Sequence, residues 1–149
     1  MSQFSEDIKK FNGIYKLPVA SFPTLSAVGD PLARLKAFKN ILAEELDEID
    51  QITGQLQVHA VELQYPQAAA DAAANSEAPG DADPDEYIRK RQVEIMTMLA
   101  DLLGDIQVYC ASEMAKFGLP LDETLEIIMQ STFSKLGADG NPIYDERGK

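Results

Sequence analysis

Three glutamates fall within five residues, in the run Glu44-Glu45-Leu46-Asp47-Glu48. On a helix, residues three and four apart are surface neighbours, roughly 5–6 Å between Cβ atoms. Glu44 with Glu48 and Glu45 with Glu48 are such pairs. Like charges that close cost a few tenths of a kcal/mol on a bare helix, and a divalent cation removes that cost. At about 100° per residue, Glu45 and Glu48 share a line with Phe38, Ile41 and Ile52. These acids therefore border an apolar stripe and do not sit in the middle of a solvent face.

A second acidic feature lies downstream. Asp101 and Asp105 are four apart in an otherwise apolar stretch from Ile95 to Cys110, and Glu94 stands two turns before Asp101 on the same line. Aspartate is a poor mid-helix residue and is rarely buried unpaired. Little Lys or Arg lies between Arg91 and Lys116 to partner these acids. A hard cation with oxygen ligands fits the gap. Magnesium takes one or two carboxylates per ion, with waters and substrate phosphates completing its shell. Solvation of all five acids at a helix border is the competing reading, and pattern alone leaves both open.

The elements that must position these acids are helical. Phe4, Ile8, Phe11 and Tyr15 predict a short amphipathic helix over 5–15. The segment 17–31, with Pro18, Pro23, Gly29 and Pro31, reads as an extended apolar connection. Asp30 can cap a second helix with Pro31 in its first turn. Leu35, Phe38, Leu42, Leu46 and Ile49 then predict its buried stripe, and Gly54 ends or weakens it. Residues 66–83, rich in Ala and Asp, read as a loose insert within a single domain over 1–149, with part of it able to coil. A long third helix is expected from a cap at Asp83 or Asp85 to Gly118. Its stripe is Ile88, Ile95, Leu99, Leu102, Ile106, Tyr109, Met114 and Phe117. A fourth, capped by Asp122, should pack Leu125, Ile128, Met129 and Phe133 and end near Gly137. The expected fold is all-α: a four- to five-helix bundle with antiparallel core helices. Carboxylates on facing bundle helices can then build one metal site.

Composition agrees and excludes some functions. With 149 residues and 45% apolar content the chain can bury one core. Its net charge of -12 disfavours nucleic acid and anionic membranes as partners. The same charge would repel a triphosphate unless divalent cations intervened. The single cysteine, Cys110, rules out an internal disulfide and is expected to be a buried thiol. The polar start MSQFSEDIKK and the lack of a long apolar run make a cytoplasmic protein the expectation. The segment DADPDEYIRKRQ imitates a calcium loop, but Glu86 and Gln92 stand where such a loop needs Gly and Glu. No P-loop is present, and the only histidine, His59, has no Cys or Asp cluster around it.

Four blocks in order, IYKLPVASFPTL, RLKAFKNILAEELDEI, ADLLGDIQVY and FGLPLDETLEIIMQSTFSKLGADGNPIYDERGK, cover most of the chain. In them the chain resembles the all-alpha nucleoside triphosphate pyrophosphohydrolases. This is the MazG-like group that includes dimeric dUTPases and phosphoribosyl-ATP pyrophosphohydrolase. The family hallmark is EExxE on one helix and ExxD on the next. Glu44, Glu45 and Glu48 match the first part. Asp105 matches the Asp of the second, where Leu102 stands at the Glu position and Asp101, one residue earlier, is the substitute. The resemblance implies that Glu44, Glu48, Asp101 and Asp105 hold Mg2+, with Mn2+ as a possible substitute. It also implies Glu45 as general base, Lys135 with Ser131 in QSTFSKLG as phosphate contacts, and a nucleoside triphosphate as substrate. A homodimer or dimer of dimers is implied as well, with segment 14–25 as lid or interface. The alternative is a non-catalytic acidic helical module that oligomerises or binds metal.

Overall fold

The computed structural model describes residues 1–76 and 83–147. Among them the chain is all-α: α1 (Gln3–Ile14), α2 (Pro31–Gln64), α3 (Pro66–Ala74), α4 (Pro84–Lys116) and α5 (Leu121–Phe133). A single 3-10 turn lies at Ser26–Val28, and no strand is present among the described residues beyond an isolated bridge between Leu136 and Pro142. No described helix is long and apolar enough to cross a membrane. The chain groups into two compact units, Met1–Arg34 with Tyr109–Lys149, and Leu35–Val108.

The first unit gathers both ends of the chain. Ser2 caps α1, its hydroxyl accepting the Ser5 N–H at 3.2 Å. The following segment runs against the end of α4: Ala20 N–H donates to the Ala115 carbonyl at 3.1 Å and Thr24 N–H to the Phe117 carbonyl at 3.0 Å. α4 ends where Gly118 takes φ +68°, and a Cβ there would collide with the Phe22 carbonyl. Only glycine meets both demands, left-handed backbone and close approach. Ile8, Ala111, Ala115, Phe117 and Leu121 form the apolar interior. Beside them Glu113 is buried between two cations, with Arg34 Nε at 2.7 Å and Lys116 Nζ at 2.9 Å.

The second unit is an antiparallel helix pair. Gln55 meets Arg91 and Glu62 meets Tyr87, so numbers rise along α2 as they fall along α4. Ile52, Ile95 and Leu102 are its fully buried apolar cluster, with Ile106 packed against it. The expected ends of α2 hold in part. Asp30 Oδ1 accepts the N–H groups of Leu32 and Ala33, but the helix runs through Gly54 to Gln64 without a break. Its buried face differs from the expected one. Glu45, Ile52, His59 and Glu62 are buried, while Leu35, Leu46 and Ile49 are exposed. Two apolar-bearing lines lie side by side on this helix, and the partner helix, not hydropathy, decides which one is covered.

Two further expectations are corrected, and part of the insert is coiled as expected. Residues 66–74 are helical, started by Pro66 and held by buried Ala69 and Ala73; residues 77–82 of the expected insert lie outside the described residues. Asp122 does not cap α5, whose N-cap is Pro120, and Leu125, Ile128, Met129 and Phe133 are exposed. Cys110 is exposed, because the buried residues on this part of α4 are Ala111, Ser112 and Glu113.

Candidate metal centre

All five acids of the two motifs belong to the second unit. α2 carries Glu44, Glu45 and Glu48, and α4 carries Asp101 and Asp105. Glu45 lies on the covered face, one heptad before Ile52, and is 7% exposed. Its Oε2 is buried without a hydrogen-bond partner. Its pKa is raised above the usual 4.5, first by burial and then by the negative charges of Glu48, Asp105, Glu44 and Asp101, in that order. Asp101 and Asp105 of α4, with Glu44 and Glu48 of α2, thus all bear on the one covered acid, Glu45.

The other four acids are exposed. Leu102 belongs to the core at 2% exposure, so a ligand at that position would have to replace a core residue. Asp101 is the neighbouring residue that faces water. Among the described residues, no three His, Cys, Asp or Glu side chains are gathered closely enough to hold a metal ion. In donor chemistry the set fits a hard divalent cation: five carboxylates, all oxygen donors, with surplus negative charge around a buried acid that lacks a partner. Glu44, Glu48, Asp101 and Asp105 are the residues that would hold it.

Ser131 and Lys135 lie in the other unit and are exposed. The Ser131 carbonyl accepts the Ser134 hydroxyl at 2.8 Å, and the Lys135 N–H closes a turn onto the Thr132 carbonyl at 3.2 Å.

A second polar group on the α2–α4 seam was not anticipated. Glu62 is buried and accepts the Tyr87 hydroxyl at 2.9 Å, and His59 is buried one turn before it. The signal was present as spacing. Positions 45, 48, 52, 55, 59 and 62 follow steps of three and four, the repeat of a helix seam. Polar residues at most of these positions hid it.

Compared with protein-family models, curated proteins and solved structures, the chain gives no match.

Proposed function

We propose that the protein is a magnesium-dependent nucleoside triphosphate pyrophosphohydrolase. It would cleave (d)NTP to (d)NMP and pyrophosphate, as a cytoplasmic housecleaning activity on the nucleotide pool. The observation that carries this reading is Glu45: a buried carboxylate with an unpartnered oxygen and a raised pKa, among four acids drawn from two helices.

Magnesium, when bound, supplies neutralisation of the triphosphate and polarisation of its α-phosphate. Glu44, Glu48, Asp101 and Asp105 present the oxygen donors for it. Glu45 takes a proton from the attacking water, and its raised pKa makes its ionised form a stronger base than a free carboxylate. The water oxygen bonds to the α-phosphorus, the bond from that phosphorus to the α–β bridging oxygen breaks, and pyrophosphate leaves with the electron pair. Lys135 and Ser131 are offered as phosphate contacts on the strength of the resemblance alone.

The test is product analysis with each common NTP and dNTP, in magnesium and in EDTA. Magnesium-dependent monophosphate plus pyrophosphate supports the reading. Orthophosphate release places the cleavage at another bond. No turnover of any nucleotide, modified ones included, removes the reading.

A second reading, a non-catalytic helical oligomerisation module, is favoured by one feature. Leu35, Leu42, Ile49, Leu56 and Leu63 recur every seventh residue on α2. All but Leu42 are exposed, Leu56 at 49% and Leu63 at 60%. A seven-residue apolar repeat is what a second helix packs against, and a homodimer or dimer of dimers would cover it.

A further inference from the structure

His59 and Glu62 lie one turn apart on the covered face of α2, 8% and 6% exposed. His59 Nδ1 stands 3.8 Å from Glu62 Oε2. Both atoms are buried, and neither has a hydrogen-bond partner. The other Glu62 oxygen, Oε1, accepts the Tyr87 hydroxyl of α4 at 2.9 Å. A carboxylate here therefore joins α2 to α4 with one oxygen and is left unmatched at the other. Since the two orphan atoms have no surface open to water, hydration does not relieve them, and each costs free energy where it stands.

One proton serves both atoms. A neutral imidazole carries hydrogen on only one ring nitrogen. With it on Nε2, Nδ1 and Oε2 are two acceptors face to face and cannot bond. With it on Nδ1, the ring donates but brings no charge to match the carboxylate. The imidazolium has an N–H at Nδ1 in every case, and a positive charge as well. Charge-assisted N–H···O bonds run at about 2.7–2.9 Å, so closing the gap by about 1 Å forms one.

The charged and titratable groups around the pair do not stand in for that proton. From α4, Tyr87 is already on Oε1. Arg91, one turn further on, has its guanidinium on Gln55 and 3.8 Å from Glu94. Asp85, which shares with Glu62 the lining of an apolar cavity, is a second acid. From α3, the buried residues are Ala69 and Ala73, and its titratable residue, Asp71, is exposed and accepts from Gln67 at 2.8 Å. Tyr65, at the junction of α2 and α3, is exposed. On α2 itself, no other titratable residue lies between Gln51 and Gln64.

We propose that His59 and Glu62 form a proton-operated clasp: on acidification they take up one proton between them, the imidazolium bonds to Oε2, and the neutralised Glu62 holds the ends of α2 and α4 together through Tyr87. At higher pH the buried carboxylate is unpaired, and this end of the helix pair opens more often. Imidazole is the side chain whose ordinary charge change falls between about pH 5 and 8, which sets the working range. The unfolded chain does not hold the two groups together, so the bond favours proton uptake by the folded state. Its contribution is present at lower pH and is lost as pH rises.

The experiment is a double-mutant cycle on the full-length protein in EDTA. Wild type, His59→Gln, Glu62→Gln and the double variant are unfolded by urea at about pH 6 and about pH 8. Glu62→Gln keeps an acceptor for Tyr87. Glu45 and the other acids titrate in all four proteins and cancel. The coupling between the two positions, read as a ratio of folding equilibrium constants, should be larger at the lower pH by about fivefold or more, within the range measured for residues in contact. Amide exchange locates the effect. Corrected for intrinsic exchange rate, protection of residues 59–65 and 87–91 should fall by a similar factor from the lower to the higher pH in wild type, and not in His59→Gln. His59 is the only histidine, so its ring signals in a proton NMR spectrum need no assignment and should move across this range. Equal coupling at both pH values, an equal loss of protection in His59→Gln, or ring signals that stay fixed would overturn the proposal. Should Glu62→Gln fail to fold, the exchange comparison of wild type with His59→Gln decides alone.

Discussion

Asn12 and Ser112, a hundred residues apart, exchange hydrogen bonds in the interior of the first unit. The Ser112 hydroxyl donates to Asn12 Oδ1 at 2.6 Å, and Asn12 Nδ2 donates to the Ser112 carbonyl at 3.1 Å. Asn12 is fully buried, so α1 is tied to α4 where water cannot compete. Replacing Asn12 by alanine leaves the Ser112 hydroxyl and carbonyl without these partners. The expected loss is about 2–4 kcal/mol, the cost of stranding two buried polar groups. Urea unfolding measures it; a loss below about 0.5 kcal/mol would show that the pair adds nothing to stability.

Asp122 makes the same kind of long-range tie in a more open setting. Ser2 donates both its backbone N–H and its hydroxyl to the Asp122 carboxylate, each at 2.6 Å. These bonds favour the ionised form and lower the Asp122 pKa below the usual 3.8. The folded state then binds the proton less readily than the unfolded state. The contribution is full above 3.8 and is lost as pH falls through the lowered folded value. Acid unfolding of Asp122→Asn should therefore lose part of the wild-type dependence on pH below about 4. Identical acid limbs would remove Asp122 from that dependence.

Glu45 works in the opposite direction. Its raised pKa means that the folded state holds the proton more tightly than the unfolded one. Its ionisation costs no stability below 4.5, costs progressively more as pH rises to the folded value, and keeps the full cost above it. In EDTA, Glu45→Gln should be at least as stable as wild type at pH 7, with an advantage that shrinks toward pH 4. The same variant should lose turnover by about a hundredfold or more, the usual scale for losing a general base. Undiminished turnover would remove Glu45 from that role, and a variant less stable than wild type at pH 7 would mean that the carboxylate has a partner.

The leucine repeat gives a test of assembly. Leu56→Glu places a charge in the exposed seam of α2 and should shift the solution mass from a multiple of 16.4 kDa to a single chain, as read by light scattering. A monomeric wild type would mean that the seam has another use.

The start of α2 and the stop of α4 were legible from local chemistry. Asp30 and Pro31 start α2 and Gly118 stops α4, because capping, ring geometry and left-handed backbone act within a few residues. The stripe of α4 was legible for a similar reason: Ile95 and Leu102 lie on its dominant apolar line, and both are buried. α2 has two competing lines, and the leucine-rich one was expected inside. The structure covers Glu45, Ile52, His59 and Glu62 instead. The spacing of Glu44, Glu45, Glu48, Asp101 and Asp105 picked out a group of acids that act on one carboxylate. It could not distinguish the buried acid from the four exposed ones.

The sequence by itself determined the helical class, the start of α2, the stop of α4 and the two acidic motifs, because propensity, capping and periodicity are properties of neighbouring residues. Only the tertiary structure decided which face of α2 meets α4, that Glu45 is the covered acid, and that Glu62, buried near His59, accepts the Tyr87 hydroxyl. Burial and electrostatic coupling depend on residues from distant parts of the chain, and no local pattern specifies which of them will meet.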